Sequence, residues 1–465
     1  MTKMTLLPEL YMFLFSVFFL FLSVGKKRTS LFTAARVLAL VGFFITLVCS
    51  GARGVFFAGA YQVDFFSQIF KVLLSAGFTL VVFMFEKENE VENLPEFFMF
   101  LGFSTLGLMI LVSSVELISI VVSLEISSFS LYAIVPLRKA QTRTQIEAAM
   151  KYLFFGAIST GIMLYGMGYL YGMAHSTYLP DIMARLPQFL SQPLGVLAII
   201  LALSAFFFKL SLFPLHFWAP DIYEGASDAT TTFIATVPKI AATALLIRLA
   251  MLASSSPAQL ATVIIVFAAF SMTLGNLVGL VQKDLKRLLA YSGIAHAGYL
   301  MMGLLSFNRE GNAAAAYYIA VYLFMNLALF YVVMLLSRRG EKNVTINDLS
   351  GLARRSPLLA LTLAVAAFSL AGIPPTGGFT GKFFLFVTAF KAGYLAIVII
   401  AAVNTVISLF YYLNLVRVSY SRESEELRPL ALAFHEKVLC CVFNIVIIYL
   451  GLMPFGLIDL FRDAM

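Results

Sequence analysis

Four ionisable side chains stand inside runs that are otherwise apolar: Glu125, Lys209, Lys239 and Lys382. A carboxylate and amines in such surroundings suit the uptake and release of protons. Burial favours the neutral amine, and an approaching carboxylate favours the ammonium. A glutamate and a lysine about 7 Å apart, at an effective dielectric of roughly 20, attract by about 2.4 kcal/mol. That changes proton occupancy about fiftyfold, so moving Glu125 relative to Lys209 would load or eject a proton. Each such residue opposes membrane insertion by about 3 kcal/mol, roughly 10 kcal/mol for the four. A purely structural design would avoid that. Static interhelical ion pairing is the plainer reading, but three lysines cannot all pair with one glutamate.

The neighbours of these residues point the same way. Ser128 and Tyr132 follow Glu125 at i+3 and i+7, on one helix face. Lys209 ends the run Phe206-Phe-Phe-Lys, and five residues later Pro214 predicts a break. His216, Trp218, Pro220, Asp221 and Glu224 follow, with His216 expected to support the break. Lys239 comes directly after Pro238, whose ring removes a backbone hydrogen bond and predicts a kink. Lys382 lies eight residues past Pro374, beyond the run Gly372-Ile-Pro-Pro-Thr-Gly-Gly378. Broken helices at membrane depth line cavities in transporters. Ser292, His296 and Tyr299 form a further polar stripe, as do Tyr318, Tyr322 and Asn326, and Asn404, Ser408 and Tyr411. One stripe is ordinarily helix–helix hydrogen bonding; several between charged positions predict a hydrated relay. His296 is either a member of it or a satisfied packing histidine.

The elements that must hold these residues are membrane helices. The chain of 465 residues is only 12% charged, against about 25% in soluble domains. Apolar runs of about 20 residues, enough to cross a bilayer, recur from end to end. The fold class is all-α and polytopic, with about fourteen spans. They fall near residues 6–24, 31–50, 65–85, 96–115, 117–137, 146–171, 196–214, 229–250, 258–281, 286–306, 312–336, 357–390, 393–418 and 435–459, the seventh and twelfth being broken. A turn-rich connection with Gly51, Gly54 and Gly59 joins the second to the third. The first run is followed by Lys26-Lys-Arg28 with no small-residue cleavage pattern, and reads as a span rather than a signal peptide.

Breaks at matching places five helices apart point to two inverted five-helix repeats. The domains expected are 1–94, three leading helices; 95–253 and 254–420, one repeat and half-channel each; and 421–465, the last helix. Lys26-Lys-Arg28, Arg138-Lys139, Lys286-Arg287, Arg338-Arg339, and Arg417 with Arg422 fall in alternate loops. The positive-inside rule then puts both termini outside the cytoplasm, despite the acidic stretch between Glu86 and Glu92. The excess of basic residues reports those loops rather than nucleic-acid binding. Cys49, Cys440 and Cys441 show no metal or disulfide spacing. There is no glycine-rich nucleotide loop and no haem or iron–sulfur ligand pattern, so no metal or cofactor is expected in this chain.

Three runs carry a family resemblance: Lys209-Leu-Ser-Leu-Phe-Pro-Leu-His-Phe-Trp-Ala-Pro-Asp-Ile-Tyr-Glu-Gly225, Tyr291-Ser-Gly-Ile-Ala-His-Ala-Gly-Tyr299 and Leu370-Ala-Gly-Ile-Pro-Pro-Thr-Gly-Gly-Phe-Thr-Gly-Lys382. They resemble the N-type antiporter-like subunits of bacterial respiratory complex I, the proton-pumping NADH–quinone oxidoreductase. The resemblance covers essentially the whole chain; Tyr-Ser-Gly departs from the family's usual Tyr-Ser-Ser. It implies Glu125 paired with Lys209, a central Lys239, and Lys382 toward the opposite half-channel. Proton transport would be driven by NADH-to-quinone electron transfer in partner subunits holding FMN and iron–sulfur clusters. Expected neighbours are K- and M-type subunits and a lateral helix of the L-type subunit, in the inner (plasma) membrane of a bacterium. The alternatives are a subunit of a multisubunit sodium/proton antiporter, which shares the charged residues, and one of a ferredoxin- or deazaflavin-dependent dehydrogenase. A non-conducting scaffold would not retain all four buried charges.

Overall fold

The computed structural model describes residues 4–25, 31–85, 91, 93–139, 143–253, 258–337, 343–421 and 429–465. The basic runs at Lys26, Arg338 and Arg422, and the acidic stretch between Glu86 and Glu92 save Val91, lie outside the described residues. By its internal contacts the chain divides into two compact units. One is built of Met1–Leu210 and Gly225–Leu260, the other of Ser211–Glu224 and Ala261–Asp463.

The first unit opens with α1 (Leu7–Val24) and α2 (Leu31–Val48), joined to α3 (Phe65–Met84) through the hairpin β1 (Gly54–Phe56) and β2 (Tyr61–Val63). The sequence predicts only turns there; the strands pair antiparallel, Val55 opposite Gln62. Asp64 starts α3 by accepting from the Ser67 amide at 2.8 Å, while Ser67 Oγ accepts from the Asp64 amide at 3.0 Å. This reciprocal cap satisfies two donors that a helix start leaves open. Then come α4 (Leu94–Ser113), α5 (Leu117–Ile134) and the long α6 (Arg143–Ala174). Two short helices follow that the sequence reading does not anticipate, α7 (Leu179–Ala184) and α8 (Leu186–Leu190).

The seventh expected span is α9 (Pro193–Ala202) and α10 (Ser204–Leu210), bent by 44° between them. Helix ends at Leu210, before Pro214, with Ser211 at φ 61°. The break thus begins earlier than the proline, because in a continued helix the Pro214 ring would clash with the carbonyl of Leu210, four residues back. A short helix, α11 (Trp218–Gly225), precedes α12 (Asp228–Leu252), which runs through Pro238 as one helix. In α12, 94% of the apolar stretch is buried, against 33% in α1; α12 is the core of its unit.

The second unit holds α13 (Ala258–Gly279), α14 (Leu285–Leu304), α15 (Arg309–Ser337), α16 (Leu352–Arg355), α17 (Pro357–Ala371), α18 (Gly377–Lys391), α19 (Leu395–Tyr420), α20 (Phe434–Leu452) and α21 (Phe455–Ala464). Its core helix is α15, buried over 89% of its apolar stretch. Gly372, at φ 87°, closes α17 with its own amide and that of Ile373 both on the Phe368 carbonyl. A left-handed residue there is the usual end of a helix. The last expected span stops at Leu452, two residues before Pro454, and α21 continues as a separate helix. Among the described residues eleven helices are long and apolar enough to cross a membrane, or twelve if α9 and α10 form one span.

Candidate functional site

Glu125 sits on α5, and its Oε1 accepts a hydrogen bond from Thr160 Oγ1 of α6 at 2.7 Å. The side chain is half-buried, not deep as the sequence reading has it; α5 presents it near the edge of the unit, where Thr160 is also half-exposed. Ser128 does not reach it, donating instead to the Leu124 carbonyl of its own helix. Tyr132 turns inward and lies over Lys209.

Lys209, in the last turn of α10, is 3% exposed. Its Nζ has no hydrogen-bond partner among the described residues. It sits 5.6 Å from the Tyr152 ring centroid and 5.9 Å from that of Tyr132. Such ring contacts hold a desolvated ammonium by about 2 kcal/mol, far less than lost hydration, so this amine is poised rather than satisfied. Glu125 lies within electrostatic reach of it without closing an ion pair. Gly156 of α6 makes the arrangement possible: a Cβ there would fall 1.8 Å from the Tyr132 hydroxyl. Lys239, buried to the same degree, projects from the core helix α12.

In the second unit Lys382 is fully engaged. Its Nζ donates to the Leu370 carbonyl at 2.9 Å and the Ala371 carbonyl at 3.2 Å. These belong to the last turn of α17, whose carbonyls have no partner within their helix. The ammonium therefore ties α18 back onto the end of α17, across the break. It also lies 4.7 Å from the Tyr299 ring centroid.

From Tyr299 a polar network runs through the unit. The Asn276 amide donates to the Tyr299 hydroxyl at 3.3 Å and to Asn404 Oδ1 at 3.2 Å, and Tyr411 donates to Asn276 Oδ1 at 2.9 Å. Alongside it, His296 Nδ1 shares a 2.5 Å hydrogen bond with Tyr318, and Nε2 one of 3.1 Å with Tyr412, whose hydroxyl also meets Ser292. A neutral imidazole offers one donor and one acceptor, so one tyrosine donates to it while the other accepts. Exchanging those roles passes a proton along Tyr318, His296, Tyr412 and Ser292. The predicted stripes on α14, α15 and α19 are thus brought together in part: Ser408 and Asn326 bond within their own helices, and Tyr322 packs its ring near His296.

His216 is buried, with its ring against Phe213 and Phe217. Phe213 itself, next to Pro214, donates its amide to Ser271 at 2.9 Å. Arg287 bridges Asp221 at 2.9 Å and Glu224 at 2.7 Å, pinning α11 to α14. Pro374 lies in the break between α17 and α18. Among the described residues no group of side chains could hold a metal.

Sequence reasoning missed Thr160, Tyr152, Asn276 and Tyr412. Asn276, an amide in the apolar α13, carries a legible signal; Thr160 does not. It also missed the buried charges Glu9, Lys71 and Arg248. Each lies within two turns of a helix end, where a charge ordinarily reaches the interface.

The proton-antiporter model described as NADH:quinone oxidoreductase/Mrp antiporter, transmembrane, matches residues 114–408. A curated protein of Opitutus terrae named NADH-quinone oxidoreductase subunit N 2 is 42% identical over 99% of this chain and 97% of its own length. Among solved structures, a chain of respiratory complex I from Thermus thermophilus superposes with a TM-score of 0.84 at 30% identity, covering 97% of this chain and 98% of that one. A chain of the Mrp complex from Dietzia sp. gives 0.87 at 19% identity, over 100% of this chain and 97% of that one; at that identity the likeness is one of fold.

Proposed function

The chain belongs to the NADH:quinone oxidoreductase/Mrp antiporter family of membrane subunits, and we propose that Glu125, Lys209, Lys239 and Lys382 carry the protons it moves. It is a proton-translocating membrane subunit of an NADH-quinone oxidoreductase and part of that enzyme complex. The sodium/proton antiporter reading is not favoured: relatives of that kind share the fold, whereas the 42% likeness is to a subunit N.

The observation that carries the site assignment is Lys209, an amine buried between two tyrosine rings with no hydrogen-bond partner among the described residues, and Glu125 in electrostatic reach. Shortening the gap between Glu125 and Lys209 stabilises a proton on the amine, and widening it lowers proton occupancy. Glu125 is half-exposed and, among the described residues, held by Thr160 alone, so it is the member able to move. Lys239 is the next acceptor within the first unit. In the second unit the His296 and Tyr299 networks, with Ser292 and Tyr322, carry protons in the neighbourhood of Lys382. Pro214, Pro238, Pro374 and His216 shape the helices that present these groups.

The same reading extends to architecture. Twelve spans, with α14 and the α17–α18 pair, make the fourteen expected, and the two broken spans suit inverted five-helix repeats over 95–253 and 254–420. Residues 1–94 and 421–465 would flank them. The chain is a multi-pass membrane protein, which we place in a bacterial inner membrane with both termini outside the cytoplasm. Its neighbours would be K- and M-type subunits and the lateral helix of an L-type subunit. FMN and iron–sulfur clusters would belong to partner subunits, with no cofactor in this chain.

Proton transport and quinone reduction by the reconstituted complex provide the test. Lys209→Ala and Glu125→Ala should each sharply lower transport while the complex still assembles. Wild-type transport in both would remove these residues from the pathway.

A further inference from the structure

The leading part of the first unit buries charges that the pathway above does not use. Lys71, on α3, is fully buried, and its Nζ lies 2.5 Å from Glu9 Oε1 of α1. The Tyr61 hydroxyl, from β2, donates to the same oxygen at 2.5 Å. The ammonium and the hydroxyl thus both lie against one carboxylate oxygen, the ammonium as an ion pair whose Nζ makes no hydrogen bond among the described residues. The other, Glu9 Oε2, is buried with no hydrogen-bond partner among the described residues.

Neighbouring groups repeat that pattern of open valence. On α3, Asp64, Gln68, Lys71 and Ser75 fall at helical spacing along one face, a span of about 16 Å. Gln68 Oε1 and Ser75 Oγ are both buried and without a hydrogen-bond partner among the described residues. Buried polar atoms are nearly always bonded, and those left open are where water or a proton resides. The ladder reaches solvent at Asp64, whose side chain is 29% exposed. The second ion pair of this cluster is of another kind. Arg248 holds Asp64 through two bonds of 2.9 and 3.0 Å and donates a third, at 3.1 Å, to the Val112 carbonyl. That pair is closed on both sides, as a structural clamp should be; the Lys71–Glu9 pair is only half made. The groups facing the pair are Tyr61 from the hairpin, Asp64 at the head of α3, Arg248 from α12 and the Cys49 thiol that follows α2. Burial, and then the Glu9 carboxylate, push the Tyr61 hydroxyl well above its usual range, so it stays a hydrogen-bond donor.

We propose that Glu9 and Lys71 form an additional proton-exchange site, reached from solvent along the Asp64–Ser75 face of α3, with Tyr61 holding Glu9 in place. The cycle balances. Glu9 takes a proton at Oε2, giving a neutral acid beside the ammonium. Lys71 then releases its proton, and transfer of the Glu9 proton to the amine restores the ion pair. One proton enters, one leaves and no bond between heavy atoms changes. The proposal rests on the reading that this chain moves protons.

Lysine and arginine differ in the property at stake: both hold a carboxylate, but arginine does not deprotonate in proteins. Lys71→Arg, Lys71→Met and Glu9→Gln are made in the whole complex, with Lys209→Ala alongside. Assembly, thermal stability, and protons moved per quinone reduced are measured. Lys71→Arg should assemble as wild type yet move protons several-fold less well, as poorly as Lys71→Met. Wild-type transport in Lys71→Arg makes the pair a fixed clamp and overturns the proposal. If Lys209→Ala also transports normally, the wider reading fails with it; if Lys209→Ala is impaired, only this site does. Should the Lys71 variants not assemble, infrared difference spectra across a pH step decide instead. A protonated-carboxyl band present in wild type and absent in Glu9→Gln supports the exchange; identical spectra refute it.

Discussion

Lys382→Met tests whether the amine in the second unit also ties its broken helix together. Methionine keeps the apolar stem and removes the ammonium, so the loss is of two hydrogen bonds, to Leu370 and Ala371, and of the contact with Tyr299. Bonds from a charged donor are worth about 1.5 to 3 kcal/mol each, and the abandoned carbonyls are buried. At the low end the two bonds give about 3 kcal/mol, roughly a hundredfold in the opening equilibrium of the break. Amide hydrogen exchange reads that equilibrium directly. The amides of Gly372 and Ile373, bonded to Phe368, and of Gly378, bonded to Ser369 Oγ, should lose about two decades of protection. Amides in α20 should not change. Protection in Lys382→Met within a few-fold of wild type would show that the break holds without its lysine.

Three further outcomes are expected. Gly156→Ala places a methyl 1.8 Å from the Tyr132 hydroxyl, so Tyr132 must leave Lys209 and proton transport should fall; a structure of the variant with Tyr132 unmoved would contradict this. His296→Leu strips the partner from the buried Tyr318 hydroxyl, while Tyr412 keeps Ser292, costing about 1–3 kcal/mol for the one group left open, measurable as a lower melting temperature. At Asp64, burial raises the carboxyl, but the Arg248 charge and hydrogen bonds with the Ser67 cap outweigh it and hold it below its usual range. A depressed folded-state value means this pair stabilises the protein above the unfolded carboxyl's pKa, about 3.9, and that the stabilisation is lost as pH falls through the folded value. Asp64→Asn should flatten that acid limb in a melting-temperature series, and an unchanged slope would exclude the pair as its source.

What could be read in the sequence follows from how costs are distributed. A lysine in the middle of an apolar run is conspicuous because water is far along the chain in both directions. Lys209, Lys239 and Lys382 therefore stand out in the sequence, and so does the glycine- and proline-rich break at Gly372–Gly378. Glu9, Lys71 and Arg248 lie nearer helix ends, where a charge ordinarily costs little; only the packing of α3 between its neighbours shows them buried. Partners across helices were the least legible. The stripes at Ser292, His296 and Tyr299 give the face of α14, but not that Tyr412, from α19, bonds His296. That pairing depends on helix rotation, which a stripe does not fix. The hairpin before α3 reads as turns in the sequence because its strands are three residues each, too short for an alternating pattern.

The lysines differ in what holds them, and the difference bears on how protonation is sensed. Lys209 is held through ring faces, which attract an ammonium and offer a neutral amine almost nothing. Its proton state therefore alters how α10 packs against Tyr132 and Tyr152. Lys382 keeps two N–H donors even as a neutral amine, so both carbonyl bonds can persist when the proton leaves. What is lost is charge assistance, about half the strength of each bond. Losing the proton then loosens the join between α17 and α18 without unmaking it. Linkage runs in both directions: whatever stretches the break must also make the proton easier to remove. On the proposed pathway, strain applied to a break so tied would be converted into proton release.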